Sequence, residues 1–382
     1  MNTNNFDETV LILARDREAA TSAAARLARA GRLILTGADA AVGSLVLARM
    51  PITSLHADAQ LEGPFSAAVL ELVTDARRRA KACDIVLTSS ERLTAAWCAE
   101  AKRRGASEIV YSKERKDRKD RKSSIPRSDE GKILHIPAVD ELIASAHLRP
   151  AFQPILDVRG DSPSGYGYES LARFDDEALS FCDPQFLFDY ARLTGKTAEL
   201  ELACLRRTLR QARALPRGAK LFINLHPHVL HEGERLVRTL VEEATDNGVE
   251  LKNVVLEITE QEKLTATPSV CETFESLRGH GIEFALDDVG IAYSHLDRIE
   301  CVKPSFLKVS HEFGTDFEKN PVRRKIIGNI LSLAHDFECE VVLEGIETAA
   351  TSGAAHDIGA RYAQGFFYAR PQRAAAAFVG HA

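Results

Sequence analysis

The stretch FALDDVGIAY, residues 284–293, is the clearest indication of the fold of the second half of the chain. Its apolar run ends in two adjacent aspartates, Asp287 and Asp288, followed by a glycine. Neighbouring side chains of a strand point to opposite faces, so two acids in a row can serve one site only where the strand ends. We therefore expect a buried strand whose carboxyl end carries two functional carboxylates.

Apolar runs of this kind recur from about His135 onward, with helix-length segments between them. Eight such runs occur, in the order AFQPILDV, GYGYESLARF, LFINLHP, VVLEITE, EFALDDVG, FLKVS, VVLEGIE and YAQGFFYARP. Eight strands with intervening helices over roughly 245 residues fit the size and order of a (β/α)8 barrel. We therefore predict a TIM-type barrel over residues 133–382.

Polar side chains lie near the carboxyl ends of most of these strands. They are Glu169, Asn224, Glu257, Asp287, Asp288, Lys308, Glu344 and Gln364. In such a barrel the carboxyl ends of the strands form one mouth, where active sites are built. Carboxylates that meet there without compensation repel one another. Because an all-oxygen set of Glu, Asp and Asn suits Mg²⁺ or Mn²⁺ rather than zinc, we predict a divalent-metal site.

Two alternatives compete with this metal site. Each acid taken singly is explained equally well as a strand-end residue that reaches solvent. For the whole series that explanation is weaker, because Glu257 and Glu344 follow apolar runs in which burial of an isolated charge is unfavourable. The second alternative is a zinc site at His226, His228 and His231 of HPHVLH, although Pro227 interrupts any helical spacing of ligands.

The first part of the chain alternates between strand-like and helix-like segments. The strand-like runs are TVLILARD, RLILTGAD, ITSLHADAQ, DIVLTSS and EIVYSK. Five strands that alternate with helices imply a doubly wound parallel sheet, which we predict over residues 1–113. A charged linker follows at 114–132 and contains the repeat KDRKDRK. Its composition is typical of a solvated tether, and a basic docking arm for an anionic partner is the alternative.

The composition argues against several classes of protein. The 382 residues are 45% hydrophobic and 27% charged, with a formal net charge of −6, so we expect no direct binding of nucleic acid. We expect no membrane span, because no apolar run is long enough, and the N-terminus lacks the pattern of a signal peptide. The seven cysteines include no C-x-x-C pair and indicate reduced, mostly buried thiols. We therefore expect a cytoplasmic protein.

Residues from Thr9 to Lys113 resemble a response-regulator receiver domain. The resemblance implies a phosphoacceptor at Asp58, after the third strand. The other matching positions are Asp16, Thr88 or Ser89, and Lys113. Where the family has further acids that help to hold magnesium, this chain has Ala14 and Arg15. We therefore expect a degenerate, flavodoxin-like or receiver-like domain that docks a protein partner or dimerises, with phosphorylation of Asp58 as the alternative.

Residues 135–378 resemble an EAL-domain cyclic di-GMP phosphodiesterase. Six motifs carry the resemblance, in the order YESLAR, INLHP, LEITE, DDVGIAYSHL, EGIET and QGFFYARP. The resemblance implies a barrel of the EAL class and metal-dependent hydrolysis of cyclic di-GMP to linear pGpG. It also implies a homodimer. We expect the N-terminal domain to regulate the reaction.

The resemblance also assigns roles to single residues. The metal ligands fall on Glu169, Asn224, Glu257, Asp287 and Asp288, which would hold two Mg²⁺ or Mn²⁺ ions. The catalytic roles fall on Lys308, Glu344 and Glu169. The substrate contacts fall on Leu171, Arg173 and Gln364, and Glu260 supports the loop that follows the aspartate pair.

The chain departs from the family pattern at positions beside those residues. Ser170, His226, Val289, Ile291, Ala292, Ser305 and Ser310 each replace another residue type. Changes around metal ligands lower metal affinity or activity by about 10–100-fold in other proteins. A catalytically weak or inactive cyclic di-GMP receptor, which signals through the N-terminal domain, is therefore the alternative to an enzyme. A docking protein without a ligand is a third hypothesis.

Overall fold

The chain divides into two units in the computed structural model. The first unit comprises Met1–His147 and Phe174–Lys196, and the second comprises Leu148–Arg173 and Thr197–Ala382. The structure describes residues 6–63, 66–111, 132–145, 148–160, 162–174, 184–258, 265, 267–290 and 301–373. The predicted linker at 114–132 therefore lies outside the described residues except for Lys132, and the predicted domain boundaries stay predictions. Within the described residues, no helix has the length and apolar character needed to span a membrane.

A six-stranded parallel sheet forms the first unit, in the order β5-β4-β3-β1-β2-β6. Its strands are β1 (Glu8–Leu13), β2 (Arg32–Gly37), β3 (Ser54–Asp58), β4 (Asp84–Ser89), β5 (Glu108–Tyr111) and β6 (Lys132–His135). Its helices are α1 (Arg17–Leu27), α2 (Ala40–Arg49), α3 (Ala67–Arg79), α4 (Ala95–Arg104), α5 (Val139–Ala144) and α6 (Pro184–Leu193). The five predicted strands are confirmed, and their order is that of a doubly wound, flavodoxin-like sheet.

The sixth strand was not predicted from the sequence. β6 pairs in parallel with β2, with Leu33 opposite Lys132 and Thr36 opposite His135. Its four residues follow a long charged segment, so the local pattern is too short to identify a strand. Pairing covers the edge of β2, which would otherwise carry unpaired backbone groups.

Helix α6 packs within the first unit although it follows β8 of the barrel in the chain. The Tyr190 hydroxyl donates a hydrogen bond to the Asp39 carboxylate, at the N-terminus of α2. Arg49 of α2 lies 2.9 Å from the Asp189 carboxylate, and its guanidinium lies 5.3 Å from the centre of the Phe186 ring. These contacts hold α6 against α2.

A closed eight-stranded barrel forms the second unit, in the order β10-β11-β12-β13-β14-β7-β8-β9. Its strands are β7 (Leu148–Asp157), β8 (Ser164–Phe174), β9 (Lys220–Leu225), β10 (Val254–Ile258), β11 (Glu283–Val289), β12 (Phe306–Val309), β13 (Glu340–Leu343) and β14 (Tyr362–Ala363). Its helices are α7 (Thr197–Ala212), α8 (Glu234–Asn247), α9 (Pro268–Gly279), α10 (His311–Gly314), α11 (Pro321–Asp336) and α12 (Ala349–Asp357), with 3₁₀ turns at Pro227–Glu232, Leu251–Asn253 and Phe317–Lys319. All eight predicted strands are confirmed.

The first barrel strand runs against the direction that a regular (β/α)8 barrel would give it. β14 pairs with β7 in antiparallel orientation, with Tyr362 opposite Asp157 and Ala363 opposite Leu156. Only residues 158–163 connect β7 to β8, and a parallel crossover needs a dozen residues or more. The carboxyl end of β7 therefore lies at the opposite end of the barrel from the carboxyl ends of the later strands.

One layer of hydrophobic side chains, most of them large, fills the interior of the barrel. Its members are Ile155, Phe222, Val255, Ala285, Phe306, Val342 and Tyr362, with Tyr166 packed against them. Each of the eight strands contributes one of these side chains. Because side chains on the same face of a strand recur every two residues, this layer sets which neighbouring residues also point into the barrel.

Candidate active site

Seven predicted site residues lie two or three positions beyond that interior layer, at one end of the barrel. They are Glu169, Asn224, Glu257, Asp287, Lys308, Glu344 and Gln364. The strand register places Glu257 beside Asn224 of β9, and Asp287 lies two residues beyond Ala285, the partner of Glu257. The strands therefore bring together side chains that lie up to 195 positions apart in sequence.

Lys308 lies at the centre of four carboxylates. Its side chain is 1% exposed, and its Nζ lies 2.8 Å from Glu344, 2.9 Å from Glu257, and 3.5 Å from both Glu169 and Asp287. Burial alone lowers the pKa of a lysine, but these four carboxylates outweigh burial and raise the pKa of Lys308 well above its ordinary value. Lys308 is therefore a protonated cation that partly neutralises the cluster.

Glu169 is held by two amide side chains. Asn224 Nδ2 donates to Glu169 Oε1 at 2.9 Å, and Gln364 Nε2 donates to Glu169 Oε2 at 2.6 Å. Burial raises the pKa of Glu169, but the Lys308 ammonium and the two amide donors outweigh burial and lower it. Glu169 is therefore the carboxylate of the cluster that is best stabilised in its ionised form.

The other three acids of the cluster, Glu257, Asp287 and Glu344, have raised pKa values, in contrast to Glu169. Burial raises the pKa of Glu257 well above its ordinary value and raises that of Glu344 to about 8, although Lys308 opposes burial in both cases. Burial and the neighbouring charges of Glu169 and Asp288 also raise the pKa of Asp287. One lysine does not balance four acids, so the site favours additional positive charge or bound protons.

Gln153 is a site residue that the sequence analysis missed. Its side chain is 7% exposed and accepts a hydrogen bond from Gln364 at 3.1 Å. Because β7 runs antiparallel to β14, the residue that points toward the mouth precedes the interior residue Ile155 instead of following it. The signal in the sequence is a glutamine within an otherwise apolar strand, AFQPILDV.

The aspartate pair lies at an irregularity of β11. The pairing of β11 with β12 shifts between Leu286 and Val289, and Asp288 has a left-handed backbone with φ of 55°. A bulge redirects side chains that would otherwise alternate between faces, and aspartate tolerates this conformation better than most residues. Gly290 follows with φ of 115°, and an added Cβ would approach Phe313 to 2.9 Å. Strand β11 therefore ends here as expected, and the turn that follows it requires a glycine at position 290.

The oxygen atoms of the cluster fit a hard divalent cation in their chemistry. Glu257 Oε2, Asp287 Oδ1 and Gln364 Oε1 are buried and lack a hydrogen-bond partner, which is unfavourable unless another group satisfies them. Carboxylate and amide oxygens are the ligands that Mg²⁺, Mn²⁺ and Ca²⁺ prefer. Among the described residues, no three His, Cys, Asp or Glu side chains already form a metal cage, and the Lys308 ammonium lies between the carboxylates.

The predicted substrate residues lie beyond Glu169 on β8. Leu171 is half-buried and Arg173 is exposed, and they follow Glu169 at intervals of two residues on the same face of the strand. Arg173 Nη1 donates to the carbonyl of Ala172 at 2.8 Å. The predicted loop-support residue Glu260 lies outside the described residues. The substrate and loop-support roles stay predictions.

Two of the unusual residues beside the site have defined partners. His226 Nδ1 pairs with the carboxylate of Glu201, a residue of α7 that is 3% exposed, so His226 takes part in a buried ion pair or hydrogen bond instead of a histidine cluster. Ser170 Oγ lies 2.7 Å from Thr208 Oγ1. Glu201 was not identified from the sequence, because an acid on the buried face of an amphipathic helix has no local signal.

Asp58 lies at the carboxyl end of β3 in the first unit. Its carboxylate accepts hydrogen bonds from Arg15 Nε at 2.8 Å and from the backbone of Gln60 at 2.9 Å. Arg15 also donates to Ser90 Oγ at 3.0 Å, and the Asp16 side chain caps α1. The guanidinium therefore binds the acid to which a receiver domain would add a phosphoryl group, and phosphorylation of Asp58 stays a prediction. The matching residue Lys113 lies outside the described residues.

The sequence of the second unit matches a known family and known proteins. A family model described as the EAL domain matches residues 137–371. The chain is 26% identical over 238 residues to the probable cyclic di-GMP phosphodiesterase PdeG of Escherichia coli, covering 60% of this chain and 45% of PdeG. It is 27% identical over 259 residues to the cyclic di-GMP phosphodiesterase RocR of Pseudomonas aeruginosa, covering 66% of this chain and 64% of RocR. The chain thus spans less than two thirds of the length of either relative.

The chain is also similar to solved structures of complexes with cyclic di-GMP. The chain matches the calcium and cyclic di-GMP complex of BlrP1 from Klebsiella pneumoniae with a TM-score of 0.53 and 26% identity, covering 61% of this chain and 57% of BlrP1. A manganese and cyclic di-GMP complex of BlrP1 matches with the same TM-score. The family match covers more than half of the chain and includes every strand of the barrel. The chain belongs to the EAL domain family.

Proposed function

We propose that the barrel hydrolyses one phosphodiester bond of cyclic di-GMP and releases linear pGpG. The observation that carries this proposal is the cluster of Glu169, Glu257, Asp287 and Glu344 around Lys308, with Glu169 held by two amide donors. Relatives named as cyclic di-GMP phosphodiesterases, and relatives solved with this ligand, support the choice of substrate.

Two divalent cations, Mg²⁺ or Mn²⁺, are part of the proposal. Glu169, Asn224, Glu257, Asp287 and Asp288 would hold them, since these residues supply oxygen ligands in one place. Cations bound there would add the positive charge that offsets negative charge on the phosphodiester during displacement. Burial is the main cause of the raised pKa values of Glu257 and Asp287, and neighbouring carboxylates add to it. A bound cation would favour the ionised forms of both groups.

The remaining polar residues have roles in proton transfer and orientation. Water adds to phosphorus, the bond from phosphorus to the ribose 3′ oxygen breaks, and that oxygen takes a proton. Glu344 has a pKa of about 8, which lets it exchange a proton near neutral pH. Lys308 orients the attacking water and offsets phosphate charge, while Gln364 and Asn224 keep Glu169 in place. Arg173 and Leu171 contact the dinucleotide outside this cluster.

Regulation and assembly complete the proposal. The first unit regulates turnover and docks a protein partner, and the chain acts as a homodimer in the cytoplasm. The receiver-like strand order of the first unit supports a signalling role. None of these features alters the chemistry assigned to the barrel.

A cyclic di-GMP receptor without turnover is the second candidate. The observation in its favour is the central position of Lys308, whose ammonium takes the space between the carboxylates. The left-handed backbone at Asp288 also favours a receptor, because it constrains the turn that follows the aspartates. In a receptor, ligand binding would be detected while the phosphodiester bonds remain intact.

Product analysis distinguishes the two candidates. We would incubate the full chain with cyclic di-GMP and Mg²⁺, Mn²⁺ or Ca²⁺, and separate the nucleotides by chromatography. The proposal expects pGpG with Mg²⁺ or Mn²⁺, and binding without product with Ca²⁺. A Glu169→Gln variant should bind ligand and release no product. Binding without pGpG under every metal condition would support the receptor instead.

A further inference from the structure

Cys271 and Cys301 lie close together in the second unit. Their sulfur atoms are 3.2 Å apart, and 30 positions separate them in sequence. Cys271 lies in the first turn of α9, and Cys301 lies five residues before β12. We propose that these two thiols form a reversible intramolecular disulfide when the protein meets a peroxide. A disulfide needs a sulfur separation of about 2.05 Å, so each sulfur has to move by only about half an ångström.

The surrounding contacts hold the two cysteines at this distance. Arg278 of α9 donates to the carbonyl of Val302 at 2.9 Å, next to Cys301. Lys303 Nζ lies 3.3 Å from Glu275 of the same helix. Val302 is fully buried. Three consecutive residues from Cys301 onward therefore contact α9.

Neither Cys271 nor Cys301 is a fully buried residue. Cys271 and Cys301 are partly exposed, and five of the six described cysteines are partly exposed while only Cys83 is buried. None of the six described cysteines is fully exposed, and burial raises the pKa of the Cys83, Cys204 and Cys339 thiols. The expectation of mostly buried thiols therefore holds in part for the described residues. Partial exposure admits a peroxide, and the neighbouring thiol is in place to react with the first oxidation product.

The chemistry is balanced with hydrogen peroxide as the oxidant. One thiol loses its proton, its thiolate attacks the peroxide, and the O–O bond breaks. The released hydroxide takes up that proton, so the products are a cysteine sulfenic acid and water. The second thiol then attacks the sulfenic sulfur, the S–S bond forms, and a second water leaves. Two thiols are oxidised and one peroxide is reduced. Burial and the hydrogen bond with Cys271 raise the pKa of Cys301 to about 11. Little thiolate is therefore present at neutral pH, and the reaction is slow there and accelerates as pH rises.

The disulfide would fasten α9 to the segment that leads into β12. That segment continues through Lys303, whose backbone has φ of 42°, to Ser305, whose N–H donates to Phe284 of β11 at 2.8 Å. A cross-link that closes a loop of about 30 residues restricts the unfolded chain. The oxidised barrel should therefore unfold at a temperature about 5 °C or more above that of the reduced barrel.

Peptide mapping of the full chain tests the proposal. After exposure to hydrogen peroxide, digestion and mass spectrometry should detect one peptide pair that joins Cys271 to Cys301, and a dithiol reductant should remove it. Cys271→Ser and Cys301→Ser should each abolish the cross-link and the thermal shift, whereas Cys98→Ser should leave both unchanged. A Cys271–Cys301 peptide absent at every peroxide concentration and pH would overturn the proposal, as would a disulfide between two chains at these positions.

Discussion

The Lys308 ammonium lies 2.8 Å from the Glu344 carboxylate, and both groups lie at the mouth of the barrel on neighbouring strands. The two residues have complementary proton affinities. The pKa of Lys308 is raised well above its ordinary value, so it stays charged, whereas the pKa of Glu344 is raised to about 8. This pair combines a permanent cation with an acid that exchanges protons near neutral pH, and the first prediction concerns it.

Replacing Lys308 with methionine should abolish turnover and destabilise the barrel. The change removes a cation that lies within 3.5 Å of four acids, and breaking a buried ion pair from one side costs about 3–5 kcal/mol. Urea unfolding followed by circular dichroism measures the free energy of unfolding. The matched control is Lys303→Met, because Lys303 is mostly exposed and surface changes usually stay within about 0.5 kcal/mol. Wild-type stability in Lys308→Met would contradict the prediction.

Replacing Gln364 with leucine should weaken metal binding by about 10–100-fold. Gln364 donates to Glu169 at 2.6 Å, and its loss removes one of two amide donors that orient this ligand and keep it ionised. Isothermal titration with Mn²⁺ measures the affinity. Gln153→Leu should have a smaller effect, because Gln153 reaches Glu169 only through Gln364. Equal effects of the two substitutions on Mn²⁺ affinity would show that the orientation of Glu169 does not cause the weaker binding.

Replacing His226 with serine should destabilise the barrel by about 2–3 kcal/mol. The substitution leaves the Glu201 carboxylate, which is 3% exposed, without its imidazole partner, and an unsatisfied buried charged group carries a large desolvation penalty. The double variant Glu201→Gln/His226→Ser should recover part of the loss, since it removes the charge as well. If the double variant is less stable than His226→Ser alone, an unpaired Glu201 charge is not the cause of the loss.

Replacing Tyr190 with phenylalanine should destabilise the first unit by about 1.5–3 kcal/mol, the range for hydrogen bonds to charged groups. Tyr190 is fully buried and donates to Asp39. The single tryptophan of the chain, Trp97, lies in α4 of this unit and is 7% exposed, so its fluorescence reports unfolding there. Tyr111→Phe is the control, because Tyr111 is 49% exposed. An unchanged Trp97 transition in Tyr190→Phe would exclude a stabilising role for this contact.

The first unit should lose stability as pH falls below about 6.5. Burial lowers the pKa of His56 and of His135 from an ordinary value of 6.5, so the unfolded chain binds more protons than the folded chain just below that pH. Stability is therefore complete above pH 6.5 and decreases as pH falls toward the folded-state pKa. Urea unfolding followed by Trp97 fluorescence from pH 8 to 5 measures the effect.

Two sets of variants test whether these histidines cause the loss. His56→Gln/His135→Gln should flatten the pH dependence of the Trp97 transition. His335→Gln should leave it unchanged, because His335 is an exposed residue of the barrel helix α11. A double variant that keeps the wild-type slope would assign the acid sensitivity to other groups.

Local sequence patterns were sufficient to predict most of the fold. Thirteen of the fourteen described strands correspond to apolar runs identified in the sequence, because a buried strand needs continuous or alternating apolar residues. β6 was missed because four residues after a charged segment carry too little periodicity. The polar ends of the barrel strands were predictable for the same reason: a charged or amide residue at the end of an apolar run has few structural explanations.

The sequence by itself determined the two α/β folds and the carboxylate, amide and lysine residues at the barrel mouth. Only the tertiary structure decided which of them touch, because contacts between residues as distant as Gln364 and Glu169 depend on strand order and register. It also decided that Gln153 joins the site, since the antiparallel direction of β7 reverses the order of interior and mouth residues on that strand. The placement of α6 in the first unit and the pairing of Cys271 with Cys301 are likewise long-range packing results, for which a local pattern carries no signal.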